Sequence, residues 1–246
     1  MSSCLIVQHV ESERSFAIGD ALSSLGVIVD TRRVFAGDPL PLDVSTFSGL
    51  VVMGGPMSAA DQEGFPSLAN ELELVTDALD RGVPTLGVCL GAQILAVAAG
   101  SSVFVGEAGP EIGWGHVEFT SEAISDPLLE GVPDRLTVLH WHGDTFALPA
   151  TAIRLASSRK YANQAYRFGE RAWGFQFHIE VDRDAVSEFL DVFGDEVRSA
   201  GQDPEAIALA TQDSLDELAP IRDRICGRFA QLVARHHRDH HLVELG

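Results

Sequence analysis

A chain of 246 residues, 46% hydrophobic and 22% charged, carries enough apolar material for a packed core. Its 36 acidic against 17 basic side chains, a net of −19, argue against a phosphate backbone or an anionic membrane surface as partner. Three widely spaced cysteines suit free thiols of a reducing compartment, MSSCLIVQHV lacks a signal peptide's basic start, and no stretch reaches the roughly 20 apolar residues of a membrane span, so a soluble cytoplasmic protein is expected.

Taken in chain order, CLIVQHV, RSFAIGDALSSLG and GVIVDTRRV read as strand, helix and strand. GLVVMGG is an apolar strand ending in glycines, PSLANELELVTDALDRG a helix, PTLGV a buried strand, and ILAVAAG a helix stopping at Gly100. This alternation predicts an α/β fold: an open, mostly parallel central sheet with helices on both faces. From about residue 101, GHVEFT, RLTVLHWH, AIRLASS, NQAYRFG and AWGFQFHIE follow as short strands with little helix between them, so the second half of the sheet is expected to be mixed or antiparallel. DAVSEFLDVFGDEVR and LDELAPIRDRICGRFAQLVARHH have helical spacing and close the chain. No repeat or linker divides it, and residues 1–246 read as a single domain with C-terminal helices from about residue 182.

The chemistry concentrates at GVCLGAQ, residues 87–93. Gly87-Val88-Cys89-Leu90-Gly91 is the cysteine counterpart of a nucleophile elbow, placed between a strand and a helix as that motif requires. Glycines two residues either side remove Cβ atoms where strand and helix crowd together. The helix N-terminus should lower the thiol pKa, and the Leu90 N–H can face a developing oxyanion, with Gly55 of GGPM as second donor. The plain alternatives are a small buried Cys89 and an ordinary turn at GGPM. A nucleophilic cysteine needs a base, and His178 offers one: in extended chain it points to the same side as Glu180, which can orient it. His140 and His142 share that spacing and suggest a metal pair, but no third ligand is identifiable, so no metal or cofactor is assigned. The HHRDHH run at 236–241 reads as a solvated helix end.

With GGPM at 54–57, GVCLGAQ at 87–93, HGD at 142–144 and GFQFHIE at 174–180 in order, the sequence resembles the class I (triad-type) glutamine amidotransferases, whose fold is flavodoxin-like. HWHGDTF and NQAYRFGERAWGFQFH look most like the stand-alone, GMP-synthase-like members. The resemblance implies hydrolysis of the glutamine side-chain amide through a thioester on Cys89, with His178 and Glu180 completing a triad, Gly55 and Leu90 forming the oxyanion hole, and Gln93, His142 and Gly143 holding the substrate. Ile179 stands where the family usually has proline, which removes a fixed φ from the turn between histidine and glutamate. No synthase domain follows in the chain, so a separate synthase subunit is the expected ammonia acceptor. Two alternatives stay open: a γ-glutamyl hydrolase or peptidase using the same thioester, and a non-catalytic binding or regulatory module on the same fold.

Overall fold

A computed structural model describes residues 1–61 and 63–243, with side chains as far as residue 236. The first hundred residues form β1 (Ser3–Gln8), α1 (Phe16–Ser24), β2 (Ile28–Arg33), β3 (Gly49–Val52), α2 (Leu68–Asp80), β4 (Thr85–Val88) and α3 (Leu90–Ala98). The second half adds β5 (Val103–Val105), β6 (Glu111–Phe119), β7 (Arg135–His142), β8 (Asp144–Phe146), β9 (Ile153–Ser157), β10 (Ala165–Phe168), β11 (Ala172–Phe175), α4 (Arg183–Ser199) and α5 (Pro204–Val243).

Nine strands make one sheet in the order β2-β1-β3-β4-β11-β10-β9-β6-β7, and β5 pairs with β8 in a small second sheet. β2, β1, β3, β4 and β11 are mutually parallel, while β11 to β7 continue antiparallel, as the change of sequence pattern near residue 101 implies. Alternation along β1 sends Cys4 and Ile6 into one core with α5 residues such as Phe229 and Val233. Leu5 and Val7 point into the other, with Leu74 and Val75 of α2 and Ile94 and Leu95 of α3. Among the described residues, no helix is long and apolar enough to cross a membrane.

The last strand in sequence, β11, lies in the middle of the sheet beside β4, with Phe175 opposite Val88. Two parallel strands that end in register deliver their following residues to one edge. Cys89, next after Val88, therefore meets the chain after Phe175, and its N–H donates to the Phe175 carbonyl at 2.7 Å.

Several features differ from the sequence reading. AWGFQFHIE is strand only to Phe175; residues 176–180 bend, held by the Gln176 N–H on the Gln164 carbonyl and by a bridge between His178 and Leu139. The short strands β5 and β8 have too few residues to show a period. α5 begins at Pro204, well before LDELAPIRD, because Pro204 suits a first helical turn and Asp203 accepts from the Glu205 N–H at 3.0 Å. Pro220 is accommodated inside it. Of the HHRDHH run, only His236 lies within the described side chains; it is buried, its Nδ1 3.0 Å from an Arg171 guanidinium nitrogen.

A Cβ on Gly91 would overlap the Val52 carbonyl oxygen of the neighbouring strand, whereas one on Gly227 of α5 would meet open space. Gly91→Ala should lose about 2 kcal/mol or more of unfolding free energy. Gly227→Ala should gain roughly 0.4–1 kcal/mol. Urea unfolding of both variants checks this, and equal effects would refute the packing argument.

Candidate active site

Cys89 is the N-cap of α3 and adopts φ 51° and ψ −107°, a left-handed conformation that strains any residue with a Cβ. The strain is held from both sides by glycine. A Cβ on Gly87 would run into the Gly91 carbonyl, and one on Gly91 into Val52. The paired glycines thus let the strand turn directly into the helix, which puts Cys89 Sγ on the floor of a cavity of about 360 Å³. Cys89 is only 5% exposed, and the Trp141 carbonyl lies 3.5 Å from its Sγ.

His178 sits behind the sulfur. Its N–H is donated to the Leu139 carbonyl at 2.9 Å, and the edge of its ring packs against Phe189. Nδ1 lies 2.8 Å from Glu180 Oε1; a carboxylate can only accept, so Nδ1 carries the proton and Nε2 is left for Cys89. Gln176 Nε2 lies 3.9 Å from the sulfur, and His178 is the main influence opposing the burial of the thiol. Ile179 in the family's proline position therefore does not prevent the histidine–glutamate contact, even though the segment is bent.

The electrostatics correct one expectation. Burial pushes the Cys89 thiol up, opposed by the hydrogen bond and charge of His178, and the net shift is upward; the helix N-terminus does not produce a lowered pKa in the closed pocket. Burial would pull His178 down, but Glu180 and Cys89 outweigh it and raise the imidazole well above its ordinary range. The thiolate is thus favoured only together with the imidazolium that receives its proton.

Gly55, Leu90, Gln93, His142 and Gly143 all line the same cavity as Cys89. Gln93 Nε2 lies 3.3 Å from the Asp144 carbonyl and 3.2 Å from Gln176 Oε1. The Gly55 loop is anchored by a residue that sequence reasoning passed over: His9 is fully buried, with Nδ1 3.0 Å from the Gly54 carbonyl and Nε2 2.8 Å from Glu71, which accepts from Ser67. Its place directly after β1 was a signal, since such crevices at strand ends hold ligands in open α/β sheets. Glu13, Asp144 and Glu196 also line the cavity, whose wall holds no lysine or arginine among the described residues. α4 kinks at Phe193, and it is this part of the helix that brings Phe193 and Glu196 to the rim.

Glu13 is buried, and its Oε2 has no hydrogen-bond partner. Burial pushes its carboxyl up to about 7, with Glu180 and Glu196 adding to the rise and His178 and His9 opposing it. Between pH 4.5 and about 7 the folded protein then keeps a proton that the unfolded chain has lost, so stability falls as pH rises through this window. The full effect is on the order of 3 kcal/mol. Glu13→Gln, which cannot ionise, should gain stability relative to the parent across that window. Urea unfolding at a series of pH values measures the difference, and a gap independent of pH would show that the carboxyl is ionised throughout.

The family described as glutamine amidotransferase class-I matches residues 10–191. The glutamine amidotransferase-like protein YfeJ of Salmonella typhimurium is 32% identical over 187 residues, 75% of this chain and 78% of YfeJ. A glutamine-hydrolysing GMP synthase of Porphyromonas gingivalis is 34% identical over 170 residues, 66% of this chain and 31% of the synthase. A solved glutamine amidotransferase structure from Thermotoga maritima shares the fold with a TM-score of 0.84 at 33% identity, covering 94% of this chain and 98% of that one.

Proposed function

This chain belongs to the class-I glutamine amidotransferase family, and from that premise we propose that it hydrolyses the side-chain amide of glutamine and supplies the ammonia to a separate synthase. The observation that carries the reading is Cys89 lining the cavity, coupled electrostatically to an imidazole that Glu180 holds from behind at 2.8 Å.

As the glutamine amide enters, the Cys89 proton passes to His178 Nε2 and Sγ attacks the amide carbon. Negative charge collects on the amide oxygen, where the Gly55 and Leu90 N–H groups receive it. His178 then returns its proton to the departing nitrogen, the C–N bond breaks, and ammonia leaves a γ-glutamyl thioester on Cys89. Water, deprotonated by the same imidazole, attacks the thioester; glutamate departs and the thiol regains its proton. Glu180 keeps the ring in the tautomer that serves both halves. The acidic wall of Glu13, Asp144 and Glu196 suits the α-ammonium end of a glutamine, and Gln93, His142 and Gly143 hold the rest of the substrate.

Similarity to a GMP synthase over that enzyme's amidotransferase-sized share supports a synthase as the consumer of ammonia. Glutamate release from glutamine, with and without a candidate synthase, tests the whole reading. Cys89→Ala should lower the rate at least roughly 10³-fold, and a glutamine-analogue electrophile should label Cys89 alone among the cysteines. Glu180→Gln should cost roughly 10²-fold or more, mainly in kcat. Faster turnover of γ-glutamyl peptides than of glutamine would replace this reading with the peptidase one; an unlabelled Cys89 would leave a non-catalytic module.

A further inference from the structure

The antiparallel register of β6 and β7 pairs Glu111 with His142, and His140 lies two residues back on the same face. Glu111 Oε2 is 3.3 Å from His142 Nε2 and 3.9 Å from His140 Nδ1, and the three atoms lie within 4.8 Å of one another. The His142 Nδ1 is 3.0 Å from the Asp144 carbonyl, which can only accept. Nδ1 therefore holds a ring proton, and Nε2 faces Glu111, with a free lone pair when the ring is neutral and a second proton when the two form an ion pair.

Donors to balance these lone pairs are few. Among the described residues, the Ser158 hydroxyl lies 2.9 Å from both Glu111 oxygens, and Gln164 Nε2 lies 2.6 Å from Glu111 Oε2 and 3.3 Å from His142 Nε2. Neither reaches His140 Nδ1, which is buried with no hydrogen-bond partner, and Gln164 Oε1 beside them is buried and unpartnered as well. His140 is only 3% exposed, so the unmet nitrogen is a cost unless something fills its lone pair.

We propose that Glu111, His140 and His142 bind a divalent transition-metal ion of the zinc class. Two imidazoles and one carboxylate are a donor set such an ion takes. Ligand atoms about 2.0–2.1 Å from a tetrahedral ion are roughly 3.3 Å apart, so the Glu111–His142 spacing already fits, while His140, 3.9 Å from Glu111 Oε2, would have to turn inward. Ser158 and Gln164 hold the carboxylate in place, the outer support a metal ligand requires. Glu111 and His140 line a separate cleft of about 630 Å³, which gives the ion a route from solvent and a place for a fourth, water ligand.

The site adjoins the amidotransferase cavity and shares His142 with its substrate side. His142 and Gln93 converge on the same Asp144 carbonyl, and the Gln164 carbonyl accepts the N–H of Gln176, whose side chain reaches Gln93 and Cys89. An ion held by His142 Nε2 fixes the ring whose Nδ1–H secures the loop at 142–144. Its role is to stiffen the substrate side of the cavity.

Two other metal-binding features must be removed before the test: the Cys89 thiol and the terminal histidines. The full chain carrying Cys89→Ser and alanine at His237, His240 and His241 serves as the parent. After chelator treatment, Co²⁺ titration of this parent should show one equivalent with the visible bands of a low-coordinate site, Zn²⁺ should displace it, and Zn²⁺ should raise Tm. Adding Glu111→Gln, or His140→Leu to keep the buried volume, should weaken binding at least about 100-fold and abolish the Tm response. His116→Ala, in the same cleft but outside the proposed ligands, should retain both. No Co²⁺ or Zn²⁺ binding by the parent would overturn the proposal, as would binding that survives His140→Leu; a Tm that responds to pH but not to metal would identify a plain His142–Glu111 ion pair instead.

Discussion

The site depends on one backbone conformation. Cys89 is held at positive φ between a strand and a helix that approach too closely for side chains at Gly87 or Gly91. Such a turn is unfavourable in isolation, and it persists because β4 is locked between β3 and β11 while α3 packs down on the core beneath it. Relaxing the turn would tilt α3, withdraw the Leu90 N–H from the cavity and separate the sulfur from His178. The position of the nucleophile is therefore a property of the central sheet.

Around that sulfur, polar contacts do what apolar packing does elsewhere. His9 and Glu71 tie down the glycine loop on one side, the Asp144 carbonyl gathers Gln93 and His142 on the other, and Glu180 fixes His178 behind. The His9 and His178 contacts are fully buried, so breaking one partner strands the other without water, a cost that makes these geometries steep. Apolar neighbours would permit sliding by a fraction of an ångström; directional bonds do not. The exceptions are informative. Among the described residues, Glu13, Glu180, His140 and Gln164 each retain a buried polar atom without a partner; Glu13 lines the cavity of Cys89 and His140 the cleft beside it.

The acidic charge of the chain also finds a local meaning. Part of it lies on the helices, but Glu13, Asp144 and Glu196 line the cavity, and burial shifts Glu13 far from its ordinary value. The same burial explains why Cys89 is not the exposed, acidified thiol that its helix N-terminus suggests. A helix dipole acts through partial charges at a few ångströms, whereas loss of solvation removes most of what stabilises a thiolate in water. The imidazolium partner supplies the stabilisation that water cannot.

Much of this was legible in the sequence, because local rules govern it. The alternation of strand and helix over the first hundred residues, the antiparallel character after residue 101, and the elbow at Cys89 all depend on periodicity and on glycine at fixed offsets, which neighbours in the chain decide by themselves. His178 with Glu180 was readable from spacing, although the reason they meet is a bend and not the extended strand that spacing implied. Other features were decided only by contacts between distant segments. Placing β11 beside β4 joins positions 89 and 178, the pairing of β6 with β7 sets Glu111 against His142, and His9 reaches Glu71 across two strand ends. Sheet order and register are long-range choices made by the burial of whole faces, so a residue's own neighbours carry no record of the partner it will meet.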